Sequence, residues 1–201
     1  MPYTVTEFTA AIAAKGLASP NKFEVEFTRV PSAALVGGGN LKDLNLMCES
    51  ASLAGRNIQS LLDRQYGLNR EVAYNGPTYQ PMTLSFLCSS QFKEKKIFDR
   101  WNNMIVDISS GFDVAYYSHY IGEMTVHALD VHGKRTFSTM YKECWPKTVS
   151  AIELNHSTQN TAVRMNVEIT YAYWETEVKG KPEIKATKVG ASVTPTNPSS
   201  G

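Results

Sequence analysis

The sequence predicts a mainly β fold with antiparallel strands and a flanking helix. Apolar and polar side chains alternate at 23–28, which is the period of a half-buried strand. A longer alternation covers 162–174, where one face is apolar and the other carries Arg164, Asn166 and Glu168. The clearest helical spacing of apolar residues is at 91–109, so its Phe and Trp are expected to cover a sheet.

The N-terminal third predicts a short helix, a strand and a loop. Val5, Phe8 and Ile12 share one face of a helix at 4–15, and Gly16 is a natural stop. A strand follows at 22–30. The three glycines at 37–39 predict a flexible loop, because the lysine and helix start of a phosphate-binding loop do not follow them.

The middle of the chain predicts further strands. Residues 44–53 are interpreted as a strand, and 57–74 as a hairpin that turns near Gly67. Residues 82–88 are apolar on nearly both sides, which is typical of a central strand.

The C-terminal half predicts antiparallel strands separated by short turns. They are placed at 121–130, 135–143, 149–154 and 162–174. From Thr176 onward the apolar periodicity ends, so 176–201 is expected to be an extension without a core of its own. Residues 1–175 are expected to form one domain, with 1–18 as an N-terminal helical arm.

Composition excludes several classes of function. Twenty Lys and Arg against 19 Asp and Glu leave a formal charge of +1, which is not the charge of a protein that grips nucleic acid. Three widely spaced cysteines favour reduced thiols over a disulfide framework. The N-terminus has no signal-peptide pattern and no apolar run is long enough to span a bilayer, so no membrane anchor is expected.

The sequence carries no motif for catalysis or cofactor binding. His127, Asp130 and His132, with His119 nearby, could suggest a metal site. Residues 127 and 130 would point to opposite faces of a strand, however, so we interpret these side chains as polar surface residues of a hairpin. Tyr116, Tyr117 and Tyr120 lack interleaved basic residues, which favours a core or interface role over base stacking. We expect no enzyme activity, no metal and no cofactor.

Several segments, in this order, resemble the tail tube proteins of contractile-tail bacteriophages. They are SPNKFEVE at 19–26, CESASLAGR at 48–56, FDRW at 98–101, the Trp145-Pro146 pair and VEITYAYWE at 167–175. The resemblance covers roughly residues 4–175. The glycine loop at 37–39 and the extension after 175 depart from the family pattern, which affects the expected outer surface rather than the fold.

The resemblance implies a β-sandwich with a flanking helix, six copies of which form a ring. Stacked rings would form a tube inside a contractile sheath, bounded by baseplate and tail terminator proteins, and DNA would pass through without specific binding. The virion tail would then be its location, after assembly in the host cytoplasm. Two alternatives stay open, namely the tube of a bacteriocin-like, extracellular or type VI injection system, and a monomeric β-sandwich binding module.

A tube needs two kinds of surface, namely a wall that faces the lumen and a contact surface between rings. Its wall should avoid clustered cations, because each neutralised phosphate adds affinity for DNA. Polar strand faces supply the lumen candidates, namely Glu24, Glu26, Glu49, Arg164, Asn166 and Glu168. The N-terminal helix and the 56–79 excursion supply candidates for contacts between rings, namely Phe8, Ile12, Arg56, Asp63, Arg64, Arg70 and Tyr74.

Overall fold

The computed structural model describes residues 4–36, 40–64, 67–157 and 161–176. The predicted glycine loop at 37–39 and nearly all of the predicted extension at 176–201 lie outside these residues. Helices are α1 Val5–Lys15, α2 Leu41–Leu46, α3 Lys93–Ile105 and α4 Tyr117–Tyr120, with a 3-10 turn at Ser32–Leu35. Strands are β1 Phe23–Arg29, β2 Cys48–Ala51, β3 Arg56–Asp63, β4 Arg70–Tyr79, β5 Met82–Leu87, β6 Val106–Asp107, β7 Asp113–Val114, β8 Gly122–Leu129, β9 Arg135–Val149, β10 Arg164–Thr170 and β11 Tyr173–Thr176.

Seven strands form the body of the fold, and all of their pairings are antiparallel. We call the layer β1-β8-β9-β11 sheet A and the layer β9-β10-β5-β2 sheet B. The long strand β9 belongs to both, because its first part pairs with β8 and β11 and its last part with β10. The result is the predicted mainly β, antiparallel architecture.

The core lies between the two sheets and under α3. Phe27 of β1 and Phe86 of β5 meet across the layers with ring centroids 6.4 Å apart. Phe98 and Trp101 of α3 pack on Phe27 at 6.2 and 6.5 Å. All four side chains are essentially buried, so the helix closes the sandwich as the amphipathic pattern predicted.

Local hydrogen bonds explain where the helices begin and end. Thr4 and Glu7 form a reciprocal capping box at the start of α1. The buried Glu94 carboxylate accepts bonds from the backbone N–H and the hydroxyl of Ser89, both at 2.9 Å, which orders the turn before α3. α3 ends at Ile105, four residues before its predicted end, because the chain turns directly into β6.

Several predicted elements are confirmed, including the helix at 4–15, the strands at 22–30, 82–88 and 121–130, and the hairpin at 57–74. The predicted strand at 44–53 is wrong in its first part. The side-chain oxygen of Asn40 accepts a bond from the Lys42 N–H and caps a helix through Leu46, and Leu44 is buried. Strand pairing starts only at Cys48.

The predicted break between 135–143 and 149–154 is also wrong, because β9 runs through Pro146 as one strand. The strand predicted at 149–154 is wrong as well, because β9 ends at Val149. Glu143 has a φ of 56°, and the register with β10 shifts between Glu168 and Ile169, opposite Pro146. Because strand pairing is irregular at this point, β9 tolerates a proline, which has no N–H to donate. The same irregularity takes β9 from sheet A into sheet B. The strand predicted at 162–174 is two strands, β10 and β11, which make the same crossing at 171–172.

In the described ranges, no helix has the length and apolar character needed to cross a bilayer.

Gly122 is tightly packed against the Arg29 backbone and the Trp101 ring, which predicts that the subunit does not tolerate a side chain there. A Cβ there would lie 2.5 Å from the Arg29 carbonyl oxygen and 2.9 Å from the Trp101 ring. We expect Gly122→Ala to lower the free energy of unfolding by about 2 kcal/mol or more, the usual cost of overpacking a core. Urea denaturation of dilute protein measures this. The matched change Gly55→Ala meets nothing within 4 Å and should have little effect.

Candidate assembly surfaces

The outer face of sheet B carries a set of polar residues whose charges are paired. We call it the wall face, and it comprises Glu49, Thr83, Ser85, Lys147, Thr148, Arg164, Asn166 and Glu168. Arg164 donates two hydrogen bonds to the Glu49 carboxylate, at 2.6 and 3.0 Å. This bond lowers the pKa of Glu49 and raises the pKa of Arg164.

The second cation of the wall face is also neutralised within the subunit. Lys147 Nζ lies 3.9 Å from Glu168 Oε1, and Thr148 donates to Glu168 Oε2 at 3.0 Å. Asn166, Ser85 and Thr83 supply neutral polar groups between the pairs. The wall face therefore offers no unpaired positive charge to a polyanion.

Glu24 and Glu26 lie on the outer face of sheet A. Arg135 donates to Glu24 at 2.9 and 3.0 Å and to Glu26 at 3.3 Å. Glu26 also lies 3.4 Å from Nε2 of His127, whose Nδ1 is 2.8 Å from the Ser138 hydroxyl. The lumen candidates therefore form two groups, one on each sheet.

The structure corrects the interpretation of His127 as a surface residue, because only 5% of it is exposed. Asp130, in contrast, organises the β8–β9 turn. Its Oδ1 accepts the backbone N–H groups of His132 at 2.7 Å and Lys134 at 2.9 Å, and these bonds lower the pKa of Asp130. Within the described ranges no three His, Cys, Asp or Glu side chains gather as metal ligands would.

The β3–β4 hairpin projects from the body with almost every residue exposed. Leu61 and Val72 pair across its strands, and Tyr74 lies two residues further along β4, so all three share one face. Asp63 and Arg70 form an exposed ion pair at 3.0 Å near the tip. Exposed apolar side chains of this kind usually mark a contact surface.

The remaining candidates for contacts between rings lie at the two ends of this region and on α1. Arg64, next to the turn, is exposed and makes no ion pair with any described residue. Arg56 lies at the base of the hairpin, where its guanidinium stacks on Trp174 at 4.5 Å from the ring centroid. On α1, Phe8 is exposed and Ile12 is half-buried.

A second apolar projection was missed by the sequence reasoning, which assigned 91–109 to one helix. We call residues 107–116 the β6–β7 loop. It exposes Ile108, Phe112, Val114 and Tyr116, and it precedes α4. The signal that could have revealed it is the Ser-Ser-Gly run at 109–111, which is typical of a turn.

Of the three tyrosines for which a core or interface role was predicted, Tyr117 and Tyr120 pack within the subunit, whereas Tyr116 is exposed. Tyr120 packs edge-to-face on Trp145, with ring centroids 5.9 Å apart. Tyr117 donates to a Glu143 carboxylate oxygen at 2.9 Å. Desolvation and this carboxylate together raise the pKa of Tyr117 to about 12. These contacts attach α4 to the point where β9 changes sheets.

Two open grooves flank β1, whose only strand partner among the described residues is β8. One, of about 390 Å³, is lined by residues that include Phe23, Leu53 and His127. The other, of about 450 Å³, lies between β1 and α2 and is lined by Glu24, Lys42 and others. The second groove borders the side of β1 that faces away from β8, and an edge strand with such a free side can accept another chain.

Unpaired strand edges and exposed apolar projections define a protein built to assemble with copies or partners. The family model described as phage tail tube protein matches residues 18–177, and the chain belongs to this family. The resemblance stated from the sequence is thereby confirmed. No curated protein matches the chain significantly.

Solved structures show the same fold at low sequence identity. A chain of the anti-feeding prophage baseplate has a TM-score of 0.58 and 12% identity, covering 81% of this chain and 96% of that one. A chain of the sheath-tube complex of the PVC extracellular contractile injection system, in its extended state, has a TM-score of 0.56 and 12% identity, covering 84% and 97%. A chain of the anti-feeding prophage tube-terminating cap has a TM-score of 0.55 and 15% identity, covering 83% and 98%.

The Arg56 stack predicts how firmly the hairpin is attached. We expect Arg56→Ala to speed amide hydrogen exchange in β3 and β4 about two- to fivefold, because an exposed cation–π contact contributes roughly 0.5–1 kcal/mol. Hydrogen exchange of the unassembled protein measures this. Arg70→Ala, which removes only the ion pair near the tip, should leave exchange at the hairpin base unchanged. Equal effects of both variants would contradict the role of the stack.

Proposed function

We propose that this chain is the repeating subunit of a phage tail tube, in which rings of six copies stack to form the conduit for DNA ejection. The observation that carries the proposal is membership of the tail tube family, in a chain whose fold leaves its strand edges open. The role is structural rather than enzymatic. The subunit would assemble in the host cytoplasm and remain in the virion tail.

Ring closure would give each free strand edge a partner strand from a neighbouring copy. Strands β1, β2 and β11 each pair with one described strand, so each has a free side. Part of the β1 edge is already capped, because the Phe27 N–H donates to the Asn45 side chain at 3.0 Å. A head-to-tail contact between identical copies pairs one free edge with another and closes into a ring.

The wall face is our proposed lining of the lumen. It contains four of the six lumen candidates, Glu49, Arg164, Asn166 and Glu168, and both of its cations are neutralised within the subunit. DNA would release few counterions there, so it would slide rather than bind. Glu24 and Glu26, on sheet A, lie outside this proposed lining.

Contacts between rings would come from the β3–β4 hairpin and the N-terminal arm. The hairpin exposes Leu61, Val72 and Tyr74 on one face, and α1 exposes Phe8. A two-stranded hairpin is marginal alone in water, so burial against another ring would stabilise it. The contractile sheath, the baseplate and a tail terminator protein would be the other partners. A domain boundary at 175, with a C-terminal extension outside the tube body, remains part of this proposal.

Electron microscopy of the purified chain, with light scattering, tests the assembly. We expect hollow rings or tubes at high concentration from the wild-type protein. Leu61→Asp places a charge on the exposed apolar face of the hairpin, so it should yield folded protein that forms no tubes. Leu154→Asp, at an even more exposed leucine outside the hairpin, is the control. Persistent monomers of the wild type, even with baseplate nuclei added, would exclude the proposal.

The lining of the lumen can be tested separately with DNA. Glu49→Gln removes the charge that neutralises Arg164, so each ring would present unpaired cations to the channel. We expect tubes of this variant, assembled with short duplexes at low salt, to retain DNA that is protected from nuclease, whereas wild-type tubes retain none. The corresponding change on sheet A is the double variant Glu24→Gln with Glu26→Gln, because Arg135 is paired with both carboxylates. Protection by tubes of this double variant alone would assign the lumen to sheet A.

A further inference from the structure

We propose that the β6–β7 loop is the docking surface for the tip of the β3–β4 hairpin from a copy in the next ring. This inference rests on the proposed function, in which the hairpin makes the contacts between rings. It adds the receiving surface on the partner copy. Three properties of the loop support it, namely order, apolar exposure and charge.

The loop is held in one conformation by its own hydrogen bonds. The Asp107 carboxylate accepts bonds from the N–H of Ser109 at 2.9 Å and from its hydroxyl at 2.6 Å. The Phe112 N–H donates to the Asp107 carbonyl at 3.0 Å, and the Ala115 N–H donates to that of Ile105 at the same distance. Preorganisation of this kind lowers the entropy cost of binding.

The conformation brings an aromatic side chain outward at a conformational cost. Phe112 has a φ of 69°, a region that non-glycine residues rarely adopt. It is nevertheless 69% exposed, so packing in the core does not compensate the strain. Ile108, Val114 and Tyr116 are 65%, 69% and 80% exposed. Four exposed apolar side chains on one ordered loop form a contact surface rather than isolated exceptions.

The tip of the hairpin has the complementary apolar character. Leu68 is 95% exposed beside the turn, and no described residue of its own subunit covers it. The loop and the tip are therefore two apolar surfaces that a single subunit leaves in water. In a stack of identical rings, each copy supplies both surfaces, so a head-to-tail contact can bury all of them.

Charge favours this pairing. The β6–β7 loop contains Asp107 and Asp113 and no Lys or Arg. The two aspartates are direct partners across β6 and β7, an arrangement that disfavours the small hairpin in isolation. Arg64, beside the hairpin tip, is exposed and has no ion-pair partner among the described residues. An arginine from the next ring would compensate the paired aspartates.

A charge swap tests the contact. Arg64→Glu and Asp113→Arg should each raise the protein concentration needed for tube formation about tenfold, and the double variant should return it to near the wild-type value. Asp113 is chosen because Asp107 also holds the loop turn. Circular dichroism and thermal melting of the unassembled variants establish that each is folded. Sedimentation and electron microscopy measure tube formation.

A separate variant tests the apolar part of the contact. Asn tolerates positive φ, so Phe112→Asn removes the aromatic ring without adding backbone strain. The variant should therefore reduce tube formation without lowering the stability of the unassembled subunit. Val131→Ser, at a similarly exposed valine on the β8–β9 turn, is the control and should assemble normally.

The outcomes separate this inference from the proposed function. Failure of the wild type to form tubes, even with baseplate nuclei added, would overturn the tube proposal itself. Wild-type tubes together with normal assembly of both single charge variants would overturn the docking site alone. Folded single variants that fail and are not rescued in the double variant would show that these residues do not meet each other, and sheath binding by the loop would then be the alternative.

Discussion

Strand β9 makes the rest of the structure possible, because it is shared by both sheets. Its early residues pair with β8 and β11, and its late residues pair with β10. The crossing at Glu143–Pro146 brings the inner faces of the two sheets together over one core. The same crossing point holds α4 through Tyr117 and Tyr120, and so it also positions the β6–β7 loop. One irregular strand thus links the core to a surface that could serve assembly.

The two sheet faces neutralise their charges within the subunit, whereas the projecting segments expose apolar side chains to water. Arg164 is neutralised by Glu49, and Arg135 by Glu24 and Glu26, so the sheet faces carry little net charge. Leu61, Leu68 and Phe112, in contrast, are exposed to water. A tube needs this division. In the proposed tube, the channel must not retain DNA, whereas the contacts between rings must be strong enough to hold the stack.

Strand alternation predicted much of the fold because a half-buried strand must repeat with period two. Phe27 and Val25 are buried and Glu24 is exposed, as the pattern at 22–30 requires. The pattern failed where local chemistry competed with it. Asn40 caps a helix that extends into the strand predicted at 44–53. Strand β9 continues through Pro146, where the sequence predicts a break.

The candidate site was predictable only in part. Wet strand faces and the exposed hairpin could be found from residue type and spacing, and the structure places them on the surface. The sequence could not show that Arg164 reaches Glu49, because the two residues are 115 positions apart. Nor could it show that Arg56 stacks on Trp174 rather than lying free on the hairpin.

By itself, the sequence determined the family, the mainly β class and the alternation of buried and exposed faces. These depend on local periodicity and on segments whose order is readable along the chain. Only the tertiary structure decided which polar faces belong to the same sheet, which charges are neutralised and which apolar side chains remain in water. Those properties arise from contacts between distant segments, and they are set by where β9 crosses from one sheet to the other.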